Sequence, residues 1–389
     1  MFDIFKKKIA IYIHWPFCEK KCPYCDFNSH EIKNKIDLNQ WKKAYSKEID
    51  FETNRLGKKT IKSIFFGGGT PSLMPIELVE FILNQLSANW CLDKNTEITL
   101  EANPSSVEAE KFENLSKIGI NRLSLGIQSF NSNTLKFLGR NHSVKDGKNA
   151  LKIAKKNFQR VSYDLIYGTP EQNSASWKKE LNEAISIAGE HISAYQLTIE
   201  KGTNFYSEFK KNKFYLPSEN LLFDLYQLTD NIMYENGYHK YETSNYSLPE
   251  CESRHNLEVW RGQQYIGLGP GAHGRVKINN IWISTQRLTS PFNWLNNLLN
   301  NKNNLSTDTT INNKERAKEI ILTALRLEEG LNLNNLRILT NNICINDICK
   351  TEVLTELSAM GLINFNKSTI KVTKKGAYVL NSILYKILV

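Results

Sequence analysis

A chain of 389 residues with 41% hydrophobic and 23% charged side chains has the composition of a globular protein, and it is longer than one hydrophobic core usually serves, so a large domain and a smaller one are expected. No apolar run approaches the roughly 18 residues of a membrane span. The basic Lys6-Lys7-Lys8 is followed only by Ile9 to Ile13 before His14, short of the roughly 7–15 apolar residues of a signal-peptide core, so a cytoplasmic location is expected. The net charge of +10 invites nucleic acid, anionic lipid or propionate groups as partners, but the lysines are spread along the whole chain, which argues for a diffuse solubilising surface.

From the N-terminus to about residue 200, two textures alternate. Short β-branched or apolar runs fall at Ile9–His14, Ser63–Phe66, Glu97–Leu100, Arg122–Ile127, Val161–Tyr167 and His191–Ile199. Helical periodicity fills Leu38–Leu56, Pro75–Leu86, Val107–Ile118, Val144–Asn157 and Ala175–Ala188. Strand and helix alternating at this spacing predict βαβ units with a parallel sheet, and six of them predict an α/β barrel or an open partial barrel over residues 1–200. Residues 201–295 form an extension packed on the barrel, with a helix at Ser218–Glu235 and an aromatic, glycine-rich stretch from Tyr238 to Gly274. The Asn-, Thr- and Lys-rich residues 296–313 read as a linker. Residues 314–389 then alternate short helices with strands at Leu362-Ile363 and Thr369–Val372, the pattern of a small, mostly helical, winged-helix-like domain. That fold reads DNA in some proteins and is a packing module in others.

The chemistry concentrates at Cys18-Glu-Lys-Lys-Cys22-Pro-Tyr-Cys25, directly after the first strand. Three thiolates on one loop can wrap a compact soft-metal centre. Iron–sulfur clusters are usually ligated by four cysteines, so three would leave one iron with an open coordination position. Zinc remains open on spacing alone, with His14 or His30 as a fourth ligand. The second strand runs into Gly67-Gly68-Gly69-Thr70-Pro71, where glycines let backbone approach a ligand or make a tight turn. The third ends in Glu101-Ala-Asn-Pro104, the fourth in Gln128-Ser-Phe130 with Arg140 in the connection after it, and the fifth carries Asp164. Each of these could cap a strand end or make a salt bridge. Five successive units delivering such groups to one mouth fit one shared ligand site better. Cys91, Cys251, Cys344 and Cys349 lie apart and receive no function.

With these residues on the page, the chain resembles the radical S-adenosylmethionine (SAM) family of oxygen-independent coproporphyrinogen III oxidases and their HemW-type haem-chaperone relatives. The resemblance rests on Tyr12-Ile-His14-Trp-Pro-Phe-Cys18, Cys22, Cys25, Gly-Gly-Gly-Thr-Pro and Gly126-Ile-Gln128-Ser-Phe, followed by Asp164-Leu-Ile-Tyr-Gly, Ser253-Arg-His-Asn256 and Gly269-Pro-Gly-Ala-His273, all in order. It implies a partial (β/α)6 barrel, a [4Fe–4S] cluster on Cys18, Cys22 and Cys25, and SAM across the barrel mouth. Carried over by position, Tyr12, Gly68 and Glu101 would hold one SAM. Tyr24, Gly69, Thr70, Gln128, Arg140 and Asp164 match positions around a second in the oxidase. No catalytic side chain is assigned.

Within that family two features favour the chaperone branch. The oxidase carries a fourth cysteine where this chain has Phe27, and a longer N-terminal extension where this chain has 17 residues before Cys18. The chaperone branch carries a His-Asn-x-x-Tyr-Trp motif linked to haem, which here reads His255-Asn-Leu-Glu-Val259-Trp260. His255 is then the candidate axial ligand and haem the cargo. The expected partners are haem or another porphyrin and a haem-acceptor protein, with a peripheral membrane contact and a homodimer also compatible. Nucleic acid is not expected. Oxidative decarboxylation of porphyrinogen propionates is the alternative function, and a tRNA-modifying radical enzyme ranks third.

Overall fold

The computed structural model of the chain describes residues 8–32, 35–187 and 189–388; Lys6, Lys7 and Ala188 of the readings above lie outside them. Six strands form in the expected places: β1 (Lys8–Trp15), β2 (Thr60–Gly68), β3 (Glu97–Ala102), β4 (Arg122–Gln128), β5 (Arg160–Tyr167) and β6 (His191–Gln196). They are mutually parallel and adjacent in chain order, each joined to the next through helices. Ile9, Ile11 and Ile13 of β1 are buried beside Trp15, in one core with the helices Leu38–Leu56 and Ile76–Asn89. Each large apolar side chain in that core contributes about 1.5–3 kcal/mol over leaving it exposed.

The chain after residue 200 packs its helix Glu219–Glu235 on the barrel helix Ser174–Ile187, where the Trp177 indole N–H donates to Thr229 at 2.8 Å. It also lengthens the sheet at both sides. Strand β8 (Asn245–Ser247) adds antiparallel to β6, and β7 (His239–Glu242) pairs antiparallel with β8 at the edge. Strand β9 (Tyr265–Leu268) adds parallel to β1, followed by β10 (His273–Ile278), β11 (Ile281–Arg287) and β12 (Leu305–Ile311) as an antiparallel meander. The order is β12-β11-β10-β9-β1-β2-β3-β4-β5-β6-β8-β7, so among the described residues the edge strands β12 and β7 are not paired with each other and the barrel stays open. The helix Arg254–Trp260 packs on β1 and β2.

Residues 296–313 depart from the expected linker. The helix Pro291–Leu299 buries Trp294 and Leu298 against Leu38–Leu56, and β12 forms the outer edge of the sheet. An edge strand rich in Thr, with polar groups on both faces, carries no apolar alternation to read. The region is locked by Arg287, fully buried 3.2 Å from Glu48 and 2.5 Å from Glu52, with the Trp294 indole N–H donating to Glu48. Removing one partner of such a network costs about 3–5 kcal/mol.

The tail has its own core around Ile320, Leu336, Leu354 and Ile383, together with Trp282 from β11. The helices Asn313–Ala324, Leu333–Leu339 and Thr351–Ala359 surround a three-stranded antiparallel sheet of Leu331–Asn332, Thr369–Val372 and Ile363–Phe365, a winged-helix arrangement. Trp282 joins the two units: its N–H donates to Leu339 O at 2.6 Å and its ring lies 4.2 Å from the Arg316 guanidinium. No helix among the described residues is long and apolar enough to cross a membrane.

Candidate functional site

The three cysteines sit on the loop that leaves β1, and all are free thiols. Cys18 is buried; the burial raises its pKa, and a hydrogen bond from the Thr70 hydroxyl opposes that. Arg140 donates to Cys22 Sγ at 3.2 Å and to Gly126 O at 3.1 Å, and Tyr24 hydrogen-bonds the same sulfur. Cys25 Sγ lies 3.7 Å from the Ser29 hydroxyl. The thiolate is the form of cysteine that binds metal. Among the described residues no three or more His, Cys, Asp or Glu side chains converge on a point where one ion could sit. The histidines do not supply the missing zinc ligand either. His14 uses one ring nitrogen with Tyr12 Oη at 3.0 Å and the other with Asn28 O at 2.9 Å, while His30 meets Asn28 Oδ1 at 3.2 Å. A single zinc ion draws its donors to one point, whereas a multi-iron cluster holds each thiolate on its own iron. Three thiols on one loop, with Arg140 at Cys22 and the Thr70 and Ser29 hydroxyls at Cys18 and Cys25, are a donor set that such a cluster would take.

Inside the barrel lies a cavity of about 530 Å³. Alternate residues of the strands face it: Tyr12 from β1, Phe65 from β2, Glu101 from β3, Arg122 and Ser124 from β4, Asp164 from β5 and Ser193 from β6. Burial pushes the Glu101 carboxyl up to about 8, with Asp164 adding to the shift; the Gly68 N–H that it accepts and Arg122 act in the opposite direction. Asp164 is raised to about 6 by burial, held back by Ser193, Arg122 and Arg140. Two buried carboxyls of elevated pKa suit a ligand that brings a positive charge and hydroxyl groups, as SAM does.

The residues expected to share one mouth therefore divide. Tyr12, Glu101 and Asp164 line the cavity, with Gly68 donating to Glu101. Tyr24, Gly69, Thr70 and Arg140 surround the cysteine loop instead; Gly69 N–H donates to Trp15 O at 2.7 Å and Thr70 N–H to Phe17 O at 2.9 Å. Gln128 sits at a register shift of β4 with φ +68°. A Cβ on Gly68 would lie 2.5 Å from the His14 ring, and its φ is +112°, so glycine is required there by the fold itself.

His255 also lines the cavity, but it reaches the opposite ends of the strands from the cysteine loop. Its Nδ1 lies 3.0 Å from Ser63 Oγ near the start of β2, and its own N–H donates at 3.0 Å to Glu97, the first residue of β3. The ring packs 5.0 Å from Phe65. Burial pulls its pKa down to about 4, with Glu97 opposing, so the imidazole is neutral at physiological pH. If Nδ1 donates to Ser63, the Nε2 lone pair is available to a metal. Val259 and Trp260 follow on the same helix and line the cavity as well. Arg122, Ser193, Thr243 and Arg326 were missed in the sequence. For the first two a signal existed: Arg122-Leu-Ser124-Leu-Gly126 and His191-Ile-Ser193-Ala alternate polar and apolar with period two, the mark of a strand with one polar face.

Comparison with known proteins meets this geometry. The chain matches the Radical SAM superfamily over residues 12–184 and the HemN C-terminal domain over residues 311–379. It is 39% identical over 269 residues to heme chaperone HemW of Escherichia coli (strain K12), covering 69% of this chain and 70% of that one. The chain belongs to the HemW-type radical SAM family. A relative that runs nearly end to end is the mitochondrial radical S-adenosyl methionine domain-containing protein 1 of Danio rerio, 31% identical over 385 residues, with 97% of this chain and 86% of the relative covered. Among solved structures, coproporphyrinogen III oxidase (HemN) from Escherichia coli superimposes with a TM-score of 0.82 over 99% of this chain and 91% of its own, at 21% identity, which establishes the shared fold. Family membership implies a [4Fe–4S] cluster and SAM.

Proposed function

We propose that this chain is a haem chaperone of the radical SAM family: it holds a [4Fe–4S] cluster on Cys18, Cys22 and Cys25, binds SAM against Glu101 and Asp164, and carries haem with His255 as axial ligand for delivery to an acceptor protein. The observation that carries the reading is the position of His255, a neutral buried imidazole on the wall of the same interior cavity that Glu101 and Asp164 line. Phe27 supports it, since it occupies the place of the oxidase's fourth cysteine and is largely exposed, as do the relatives named heme chaperones. When bound, the cluster and SAM supply one-electron chemistry to the family. This chain's own residues hold the Cys22 sulfur through an Arg140 hydrogen bond, accept the ligand's positive charge at Glu101, and present an unprotonated imidazole. A cytoplasmic site of action follows from the same reading.

The test is a haem titration of anaerobically reconstituted protein, followed by absorbance. Haem should bind, and His255→Ala should shift the Soret band while the cluster absorbance stays unchanged. Incubation with coproporphyrinogen III, SAM and a reductant should yield no protoporphyrinogen IX. Catalytic decarboxylation would replace this reading by the oxidase, which the close structural likeness to coproporphyrinogen III oxidase keeps as the second one.

A further inference from the structure

The charges in the interior cavity are segregated. Glu101 and Asp164 stand on the strand-built wall, while the other side is lined by the helix Arg254–Trp260, the turn after β7 and one residue of the C-terminal domain, Arg326. An antiparallel bridge joins Glu242 to Leu327, and Glu328 N–H donates to Tyr241 O at 2.9 Å, so Thr243 and Arg326 are the next opposed pair. The Arg326 guanidinium lies 5.9 Å from the centre of the Trp260 ring. The nearby carboxylates are committed elsewhere: Glu329 takes Arg261 in a two-pronged pair at 2.7 Å, Glu328 takes Lys371 at 3.1 Å, and Glu242 accepts from Ser244 N–H at 3.0 Å and from the Asn245 side chain. Among the described residues no acid pairs with Arg326. Opposite it, the buried Thr243 hydroxyl has no hydrogen-bond partner. A guanidinium and an unpaired hydroxyl beside an indole face form a receptor for an aromatic ligand that carries a carboxylate.

We infer that Arg326, with Thr243, is the carboxylate-reading point of the cavity, and that the C-terminal domain thereby contributes a binding residue to the barrel site. The inference rests on the haem reading: the ligand is a porphyrin whose plane lies against Trp260 and whose propionate meets Arg326. It assigns the small domain a ligand contact in place of mere packing.

The experiment compares haem with haem dimethyl ester, which keeps the macrocycle and iron but lacks the anionic groups, on anaerobically reconstituted full-length protein. The parent should prefer haem by about tenfold, the worth of one charge-assisted hydrogen-bond pair. Arg326→Ala should erase the preference, and Arg326→Lys should keep part of it, which also serves should the alanine variant fold poorly. SAM affinity should be unchanged in both. Equal binding of haem and ester by the parent, or a preference that survives in Arg326→Ala, overturns the inference and leaves the haem reading standing. A fall in SAM affinity overturns it in favour of the carboxylate of SAM as the group read. Failure of the parent to bind either porphyrin overturns the haem reading and this inference together.

Discussion

The two walls of the interior cavity are made differently. On one, Tyr12, Glu101 and Asp164 project from alternate strands of the parallel sheet, β1, β3 and β5, their spacing set by hydrogen-bonded register and their direction by the alternation of the pleat. On the other, Thr243, Val259, Trp260 and Arg326 come from a turn, a seven-residue helix and the C-terminal domain, brought together by side-chain packing and one isolated bridge. A sheet wall places its groups by backbone geometry and tolerates little variation. A wall assembled from loops and a second domain can change its ligand while the sheet keeps its cofactors. The family comparisons fit this division, since the fold is shared with a coproporphyrinogen oxidase while relatives of higher identity bear the name of heme chaperones.

If the cysteine loop and the assembled wall act independently, the largest effect breaks the loop and spares the wall. Replacing any of Cys18, Cys22 or Cys25 by Ala should abolish the roughly four iron and four sulfide per chain expected after anaerobic reconstitution. Haem binding through His255 should persist, because that imidazole reaches the opposite ends of the strands and depends on Ser63 and Glu97. Iron and sulfide analysis beside a haem titration measures both in one preparation. Loss of haem binding with the cluster would show that the cysteine loop and the His255 side of the cavity are coupled.

A smaller effect probes the strand-built wall alone. Glu101→Gln keeps shape but removes the carboxyl that can ionise against the ligand's cation, and SAM affinity should fall about tenfold by loss of that charge-assisted hydrogen bond. The same change should stabilise the protein at high pH. The Glu101 pKa is about 8 in the folded chain against an ordinary carboxyl value of 4.5, so the folded state holds a proton that the unfolded state has released. Stability from this group is fully present below the unfolded value and is lost as pH rises through 8. The glutamine variant has no such loss, so its melting temperature relative to the parent should rise between pH 6 and pH 9, by about 2–4 °C. A difference that stays constant with pH would mean that the carboxyl is ionised throughout. Gly68→Val is a poorer probe, because its side chain meets His14 and the positive φ before any ligand.

The two walls also differ in how far they were legible beforehand. The strands, the cysteine loop, Glu101 and Asp164 were readable because β-branched runs end in chemistry-bearing residues at short range. Helix Leu38–Leu56 was placed to the residue, its start capped by Asp37 and its end marked by Gly57 at φ +66°. The expected helix Val107–Ile118 is instead two, Ser106–Ala109 and Phe112–Lys117, because periodicity does not register a break of two residues. Arg326 left no local mark: a lone arginine after a helix becomes part of a site only when a distant turn pairs with it. His255 was named from a motif, but its depth in the barrel depends on contacts to Ser63 and Glu97, more than 150 residues away in sequence.

The smallest expected effect sharpens the assembled wall. Val259 stands where the family motif has tyrosine, one residue before Trp260, and its side chain lines the cavity. A phenol there would reach further into the space with one hydroxyl to offer, worth about 1 kcal/mol if it finds a partner on the ligand. Val259→Tyr should therefore tighten haem binding by about fivefold. It should leave SAM affinity unchanged, because Glu101 and Asp164 lie on the other wall, and it should leave the His255-dependent Soret position unchanged, because the axial ligand is the same. Double titration of parent and variant with haem and with SAM separates these quantities. Weaker haem binding would mean that the space beside Trp260 is already filled by the macrocycle and that the valine makes room for it. Weaker SAM binding would place the cofactor against the assembled wall and undo the division between the two.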